Sequence, residues 1–457
     1  MNREPHAVRA ADAARTAALS SRPRLRDAHW IEGGWGAQLL VVNGSRLYQV
    51  PPPLADDFRA AFESSDPDGL ARLLSAHGLQ AEPYIDDVPL AAPPAHALSL
   101  AVAQKCNLGC TYCYAGQGEF GGKARNMEEH VARQSVDWLL GQAAPGGKVN
   151  LAFMGGEPLA NRAVLQSTTR YAAERAAERG VDCRFSVTTN GTLLTEADAD
   201  FFEAHGFAVT VSLDGAPEQH DRLRAFKGGK GSFEQIALRL QPLLLQQRRM
   251  QVSCRVTVTP FNLDLPRILD RFIAMGFHSV GFSPLLRAAN GRAEMGEEDL
   301  AEMLEAMVAC GMAFEQAVIE GRRYPFMNMV NALKELQRGS HRPYPCGAGA
   351  GYFGVSAEGQ LSACHRFVGD EAGAMGDLAN GVARERQVRW LSERHVHRQS
   401  PCGDCWARYL CGGGCHHEVI ARGRGACDYI RGWLHYTLGA HRRLSQAAPQ
   451  WYAGPHD

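Results

Sequence analysis

Six short apolar runs alternate with helical patterns between residues 97 and 284, and this alternation leaves few folds open to the chain. The runs are Ala97 to Ala103, Val149 to Phe153, Phe185 to Thr188, Ala208 to Leu213, Ser253 to Val258 and Ser279 to Phe282. Helical patterns separate most of them. One starts at Met127, with Ala132, Val136, Leu139 and Leu140 on one face; others span Phe233 to Leu245 and Leu265 to Met275. Short apolar runs joined by amphipathic helices read as strand–helix units of a parallel sheet. Six such units predict an α/β fold, a parallel and partly closed (β/α)6 barrel. Ligands in such folds bind beyond the C-terminal ends of the strands. The residues that follow each run are therefore the candidate site.

The first run leads straight into Cys106-Asn107-Leu108-Gly109-Cys110-Thr111-Tyr112-Cys113, a C-x3-C-x2-C loop. Such a loop can set three thiolates on three irons of a cubane cluster. The fourth iron is then open to chelate a small molecule, where other Fe–S proteins supply a fourth thiolate. Three buried cysteines or a zinc knuckle would share the bare spacing. With an aromatic before the third cysteine, the stretch resembles the signature of the radical S-adenosylmethionine (radical SAM) enzymes. That resemblance implies a [4Fe–4S] cluster on Cys106, Cys110 and Cys113, with S-adenosyl-L-methionine on its open iron and Tyr112 against the adenine. Reductive cleavage of the cofactor would yield a 5′-deoxyadenosyl radical, the hard chemistry residing in cluster and cofactor.

Other strand ends extend the resemblance. Met154-Gly155-Gly156-Glu157-Pro158 follows the second run and resembles the family's GGEP motif. Gly155 and Gly156 would permit close backbone approach, and the Glu157 carboxylate would complement the cofactor's ammonium. Ser186 to Thr192 ends the third run in a polar cluster that suits either a ligand or a simple Asn190-Gly191 turn. Ser212-Leu213-Asp214-Gly215 ends the fourth, and Arg224 follows shortly after. By resemblance Ser212 and Asp214 contact the ribose or carboxylate of the cofactor. Arg224 either meets its carboxylate or pairs with Asp221. Val256 and Val258 belong to the barrel core, beside the adenine.

A second cysteine group closes the chain: Cys346, Cys364, Cys402, Cys405, Cys411, Cys415 and Cys427. Read as C-x12-G-x4-C, a gap, C-x2-C-x5-C-x3-C, a gap, C, it resembles the SPASM extension of radical SAM enzymes that modify peptides and proteins. A zinc ribbon on Cys402, Cys405, Cys411 and Cys415 is the competing assignment. The resemblance implies two auxiliary [4Fe–4S] clusters, hence three in all. One is on Cys402, Cys405, Cys411 and Cys427, the other on Cys346, Cys364 and Cys415. Fully ligated relatives carry a further cysteine shortly after the first, but Cys346-Gly347-Ala348-Gly349-Ala350-Gly351 offers none. The expectation is an open iron that takes a substrate thiolate, with His365 or His341 as alternative ligands. His416-His417-Glu418 is expected to pack around Cys415 rather than form a metal or acid–base site of its own. No catalytic acid or base is assigned.

Composition bounds the rest. A net charge of −1 gives no basic surplus for nucleic acid. No run of about 18 apolar residues predicts a membrane span, and the N-terminus lacks the apolar core of a secretory signal. Thirteen cysteines, an odd and clustered set, suit metal-bound thiolates in a reducing cytoplasm rather than a disulfide scaffold. Cys183, Cys254 and Cys310 stand alone and read as small core residues.

Four regions are expected. Residues 1–92 form a small α+β element, loosely ordered to about residue 28. It has a hairpin through Asn43-Gly44, a helix from Leu54 to Phe62 and another capped by Ser65-Asp66-Pro67. It looks like the winged-helix element with which peptide-modifying enzymes grip a leader, or it is a packing appendage. Residues 93–295 form the partial barrel, 296–345 a helical bridge, and 346–457 a cysteine-rich SPASM domain held more by clusters than by an apolar core. The loop from Cys113 to Gly122 resembles that of the thioether-forming SPASM maturases, among them the group acting on the γ subunit of quinohemoprotein amine dehydrogenase. This resemblance implies an oxidoreductase that joins cysteine sulfur to Asp or Glu methylene carbon. Its partners would be a small Cys-containing protein or peptide, with or without a leader, and an electron donor such as flavodoxin or ferredoxin. Alternatives are a ranthipeptide-type, formylglycine or carbon–carbon cross-linking activity, or a non-catalytic zinc or Fe–S scaffold.

Overall fold

The computed structural model describes residues 25–454 except 81, 83, 289, 340 and 341. The looseness expected of the first residues falls, up to residue 24, outside the described residues, as does His341.

Strand β1 (Ala28–Gly33) joins β2 (Gly36–Val41) and β3 (Arg46–Val50) in an antiparallel sheet. The hairpin pairs Leu40 with Leu47 and Leu39 with Tyr48. β1 was not foreseen. Two helices follow, α1 (Pro52–Ser64) and α2 (Pro67–Ala76). Asp66 caps α2 through the amide of Gly69 at 2.9 Å. Phe58, Leu70 and Leu74 bury the helices against Leu39, Val41 and Val50 of the sheet.

The barrel strands are β4 (Ala97–Gln104), β6 (Lys148–Gly155), β7 (Asp182–Thr189), β8 (Ala208–Ser212), β9 (Gln251–Val258) and β10 (Ser279–Pro284). They run parallel and neighbour one another in chain order. The two-residue β5 (Arg125–Asn126) pairs with β4. Between the strands lie α3 (Glu129–Gln142), α4 (Arg162–Glu178), α5 (Glu196–His205), α6 (Pro217–Leu223), α7 (Phe233–Gln246) and α8 (Leu265–Ala274). Alternation decides the two faces. Phe153, Val187, Val209, Val211, Val252, Val256, Val258 and Val280 are buried in the core shared with the helices. The intervening positions hold mostly small residues such as Ala152, Ser186, Thr210, Ser253 and Ser283, which leaves room inside. Cys254 and Cys310 are buried in that core and Cys183 is partly buried against it.

Helices α9 (Glu297–Ile319) and α10 (Met327–Arg338) lie between β10 and the C-terminal segment. The C-terminal segment departs from expectation. β11 (Tyr352–Val355) lies parallel to β4, and β12 (Gln360–Ser362), β13 (Ala374–Asp377) and β14 (Gly381–Val382) continue the same sheet antiparallel. Phe353, Val355, Phe367, Met375 and Trp390 join the barrel core. An apolar core therefore does much of the work assigned to clusters. Helices α11 (Arg384–Arg394), α12 (Arg408–Cys411), α13 (His416–Arg422) and α14 (Cys427–Ala447) complete the chain. Tyr436 of α14 is buried against α9, where its hydroxyl meets Glu315 at 2.5 Å.

Candidate cofactor and cluster site

The cysteine loop leaves β4 and is held from two sides. The Gly156 amide donates to Ala103 O at 2.8 Å, and the Glu157 amide to Lys105 O at 2.9 Å. Gly118 seats on the same contact: a Cβ there would lie 2.7 Å from the Gly156 Cα. On the other side, the amides of Gly109 and Thr111 donate to Ala225 O and Leu223 O at 2.8 and 3.0 Å. These backbone bonds set all three cysteines at the mouth of the barrel. Leu108 N and Asn190 Nδ2 approach the Cys106 sulfur at 3.4 and 3.5 Å. Burial pushes the Cys110 thiol up to about 12, despite the pull of Arg224. Thiolates so placed require a cation, and a metal deprotonates its thiols outright.

Glu157 is buried at the end of β6. Its carboxylate accepts from Thr189 Oγ1 and Asn190 N at 2.7 Å and from Leu159 N at 3.0 Å. Burial raises its pKa against these donors. Most of its acceptor capacity is thus spent within the protein. Asn190 is more than a turn residue. Its side chain reaches Cys106 and Asn107 and accepts from Thr192, tying β7 to the cysteine loop. Its place directly beyond a strand was the signal.

Tyr112, Asp214 and Arg224 meet in one buried group. The Tyr112 hydroxyl donates to Asp214 Oδ2 and accepts from Arg224 Nη1 at 2.6 Å. Asp214 Oδ1 accepts from Thr257 N at 2.9 Å, and Arg224 stands 3.9 Å from Oδ2. Burial pushes the Asp214 carboxyl up against the pull of Arg224. The Nε of Arg224 is buried without a protein partner. Arg224 does not pair with Asp221, whose Oδ1 instead accepts from Ser232 N and Phe233 N at the start of α7. Ser212 ends β8, partly exposed, beside this group. Val256 and Val258 face the core.

His220 supports the group from behind. Its Nδ1 accepts from Asp214 N at 3.2 Å, so Nε2 carries the proton and donates to Ser232 Oγ at 2.9 Å. Ser232 in turn donates to Arg224 O at 2.7 Å. Burial pushes His220 down to about 3 and His435 down to about 4. The unfolded chain takes up protons near 6.5 that these folded histidines refuse, so stability falls as pH drops through that window. Each should cost about 1.4 kcal/mol per pH unit between about 6.5 and 4. Urea midpoints at pH 7.5 and pH 5 check this; equal midpoints would refute it.

The other seven cysteines fall into two groups. Ionisation of Cys402 is opposed first by burial and then by Cys411, Cys427 and Cys405, and that of Cys411 by burial, Cys405 and Cys427. Cys364 is opposed by burial, Cys415 and Cys346, and Cys346 by burial and Cys415. Cys402, Cys405, Cys411, Cys415 and Cys427 line one cavity of about 300 Å³. Arg394, Arg424 and Arg431 act on these thiols with few carboxylates to oppose them. A cationic, sulfur-lined cavity fits an anionic cluster. Among the described residues no three His, Cys, Asp or Glu side chains converge on a single metal ion.

The Cys346, Cys364 and Cys415 group adjoins the barrel mouth. Arg366 pairs with Glu418 at 2.5 Å, approaches Cys415 Sγ at 3.9 Å and lies over the Tyr114 ring at 5.1 Å. Tyr114 directly follows Cys113. His365 Nδ1 meets Tyr352 OH at 2.8 Å, and His416 Nδ1 accepts from Arg394. His417 packs edge-on to Phe367. The described nitrogen contacts of His365 and His416 are thus to Tyr352 and Arg394, and His417 packs on an aromatic ring. Sequence reasoning missed Arg366, although it stands two positions after Cys364. A second cavity, about 420 Å³, opens between Tyr114, Phe120, Arg287, Asp370 and His417.

Known proteins resemble this chain in sequence and in fold. The family model described as the radical SAM superfamily matches residues 100–241. The chain is similar to the serine-type anaerobic sulfatase-maturating enzyme of Klebsiella aerogenes, 27% identical over 352 residues, covering 74% of this chain and 84% of that protein. It is also similar to the enzyme of the same name from Bacteroides thetaiotaomicron, 25% identical over 389 residues, covering 78% and 90%. Its fold matches the solved structure of anSMEcpe with bound AdoMet and Kp18Cys peptide at a TM-score of 0.65 and 19% identity, covering 77% of this chain and 99% of that one.

Proposed function

We propose that this chain, a radical SAM protein related to the anaerobic sulfatase-maturating enzymes, is a peptide maturase that forms thioethers. It would join a cysteine sulfur to the methylene carbon of an Asp or Glu within one small Cys-containing protein or peptide. Cys106, Cys110 and Cys113 would hold one [4Fe–4S] cluster. Cys402, Cys405, Cys411 and Cys427 would hold a second, and Cys346, Cys364 and Cys415 a third. When bound, S-adenosylmethionine and the first cluster supply the radical that takes a hydrogen atom from an unactivated methylene.

The observation that carries the reading is the three-cysteine group beside the barrel mouth. Cys364 and Cys415 stand against Tyr114 and Arg366, next to the Cys106 loop, and no fourth cysteine accompanies them. A site short of one ligand, facing the cofactor end of the barrel, suits a substrate thiolate. The protein's residues have separate tasks. Asn190 and the Leu108 amide steady the Cys106 sulfur. Gly155 and Gly156 admit the cofactor's amino-acid end, and Tyr112, Asp214 and Arg224 pack about its nucleoside, with Ser212 beside them. The peptide would lie across the barrel mouth, in the second cavity and the adjoining part of the first, which share Arg366. Residues 28–76 would grip a leader, and an external donor such as flavodoxin or ferredoxin would supply the electron in the cytoplasm.

Balance defines the product. Substrate loses one hydrogen atom from carbon and one proton from the thiol, and one electron leaves with bond formation. A second reading, oxidation of Cys or Ser to formylglycine, is favoured by the relatives' names. A solved relative also carries a bound Kp18Cys peptide. Intact mass separates the two. Anaerobic co-expression with a small Cys-rich protein encoded beside this one should give a product two hydrogens lighter per blocked thiol, unchanged by reductant and absent with Cys106→Ala. A carbonyl-reactive product with no loss of alkylatable cysteine beyond the oxidised residue would decide for formylglycine.

A further inference from the structure

Arg255 sits in the middle of β9, where its neighbours Cys254 and Val256 face the outer core. Alternation turns Arg255 inward with Ser253 and Thr257. The equivalent positions on the flanking strands hold Thr210, Ser212, Gly281 and Ser283. A cation among such short neutral side chains has a purpose that packing does not supply.

Its surroundings narrow that purpose. The guanidinium donates to Ser283 Oγ. A guanidinium has five N–H donors, and among the described residues no carboxylate forms an ion pair with this one. The charged groups acting on it are Arg366, which repels it, and Cys415. The other arginines lining the same 300 Å³ cavity have partners, although Arg366 Nε and Arg431 Nε are buried without one. Arg366 has Glu418, Arg431 has Asp428, and Arg424 donates to Ser400 O, Gly413 O and Gln399 Oε1. Arg408 reaches Asn43 and backbone carbonyls. Arg255 stands on the barrel wall of this cavity with Ser283 alongside, and among the described residues its charge, unlike those of Arg366 and Arg431, meets no carboxylate. Cys415, across the cavity, already has Arg366 beside it.

We propose that Arg255, with Ser283, binds the side-chain carboxylate of the substrate's Asp or Glu and so presents the adjoining methylene for hydrogen abstraction. This rests on the thioether reading above and adds to it the residue that selects an acidic acceptor. A planar fork meets a carboxylate through two parallel bonds, which fixes orientation as well as position. The carbon next to that carboxylate is then held in one attitude within the barrel mouth.

The test uses reconstituted enzyme and the Cys-containing protein that gives the lighter product, with its Asp and Glu methylenes deuterated. The readout is the fraction of deoxyadenosine that carries deuterium. Wild type should transfer it. Arg255→Gln should lower that fraction by at least about tenfold, the scale of one lost charge-assisted bond pair, and raise KM. Arg255→Lys should recover part of it. Wild type given an Asn-for-Asp substrate should resemble Arg255→Gln with the acidic one. Iron content and the electron paramagnetic resonance spectrum should match wild type in both variants. Full deuterium transfer by Arg255→Gln overturns the proposal, as does iron loss in Arg255→Gln that Arg255→Lys restores, since Arg255 would then be a counter-charge for the clusters. No deuterium transfer by wild type overturns the thioether reading itself.

Discussion

Gly156→Ala should lower deoxyadenosine formation by at least about a hundredfold, the scale of a reacting group displaced by about 1 Å. A Cβ on Gly156 would lie 2.3 Å from Lys105 O, 2.5 Å from Lys105 C and 2.8 Å from Gly118 Cα. All three are backbone atoms, so no side chain can swing aside. The two loops must part, which breaks the bonds from Gly156 N to Ala103 O and from Glu157 N to Lys105 O. Overpacking and two lost backbone bonds together cost about 3 kcal/mol. The damage falls on the segment that carries Cys106, so iron at that loop should fall with activity. Gly228→Ala is the control. It lies just beyond the same barrel mouth, and a Cβ there meets nothing within 4 Å. Iron content and deoxyadenosine yield measure both. A Gly156→Ala protein with wild-type yield would mean that the close approach of the two loops is dispensable.

The barrel was legible because its strands repeat one physical pattern: apolar outward, small inward, with a helix between. Ends slipped where the pattern fades. β7 begins at the polar Asp182 rather than Phe185, and β10 runs on to Pro284. The C-x3-C-x2-C spacing was legible as a site because its three cysteines lie on one short loop at a strand end. Distant pairings were invisible. β11 pairs with β4 across more than two hundred residues, and nothing in Tyr352–Val355 names its partner. Arg224 was legible as a candidate, but its partner was not. Asp221 is near in sequence and Asp214 is near in space, and α6 turns the arginine toward the second. Arg255 and Arg366 escaped for a related reason. An arginine in sequence is normally a surface residue, and only the curved sheet and the cavity reveal which ones face inward.

Arg408→Ala should detach the N-terminal sheet and, with it, loosen the Cys402 to Cys411 segment. Arg408 is 4% exposed and reaches from α12 across to the first strand's approach. Its Nη1 donates to Arg26 O and to Cys405 O at 3.2 Å; its Nη2 donates to Asn43 Oδ1 at 2.8 Å and lies 3.4 Å from Asp27. One side chain thus satisfies acceptors on both the hairpin and the cysteine loop. Around it, Ile31, Leu40 and Val42 share a core with Cys402, Trp406, Tyr409 and Leu438, and His29 stacks on Trp406 with centroids 3.6 Å apart. Removing the guanidinium leaves several acceptors without donors, a loss of about 3 kcal/mol or more. Arg408→Lys should recover part of it, because a single ammonium cannot span both sides. The expected results are a lower melting temperature, faster proteolysis between residues 25 and 76, and less iron bound per protein. The Cys106 loop, far from this contact, should keep its iron. Should Arg408→Ala retain all its iron while the N-terminal sheet becomes protease-sensitive, the two regions fold independently and the shared core is only a resting place. Coupled loss would mean that the N-terminal sheet and the second cysteine group stand or fall as one packed unit.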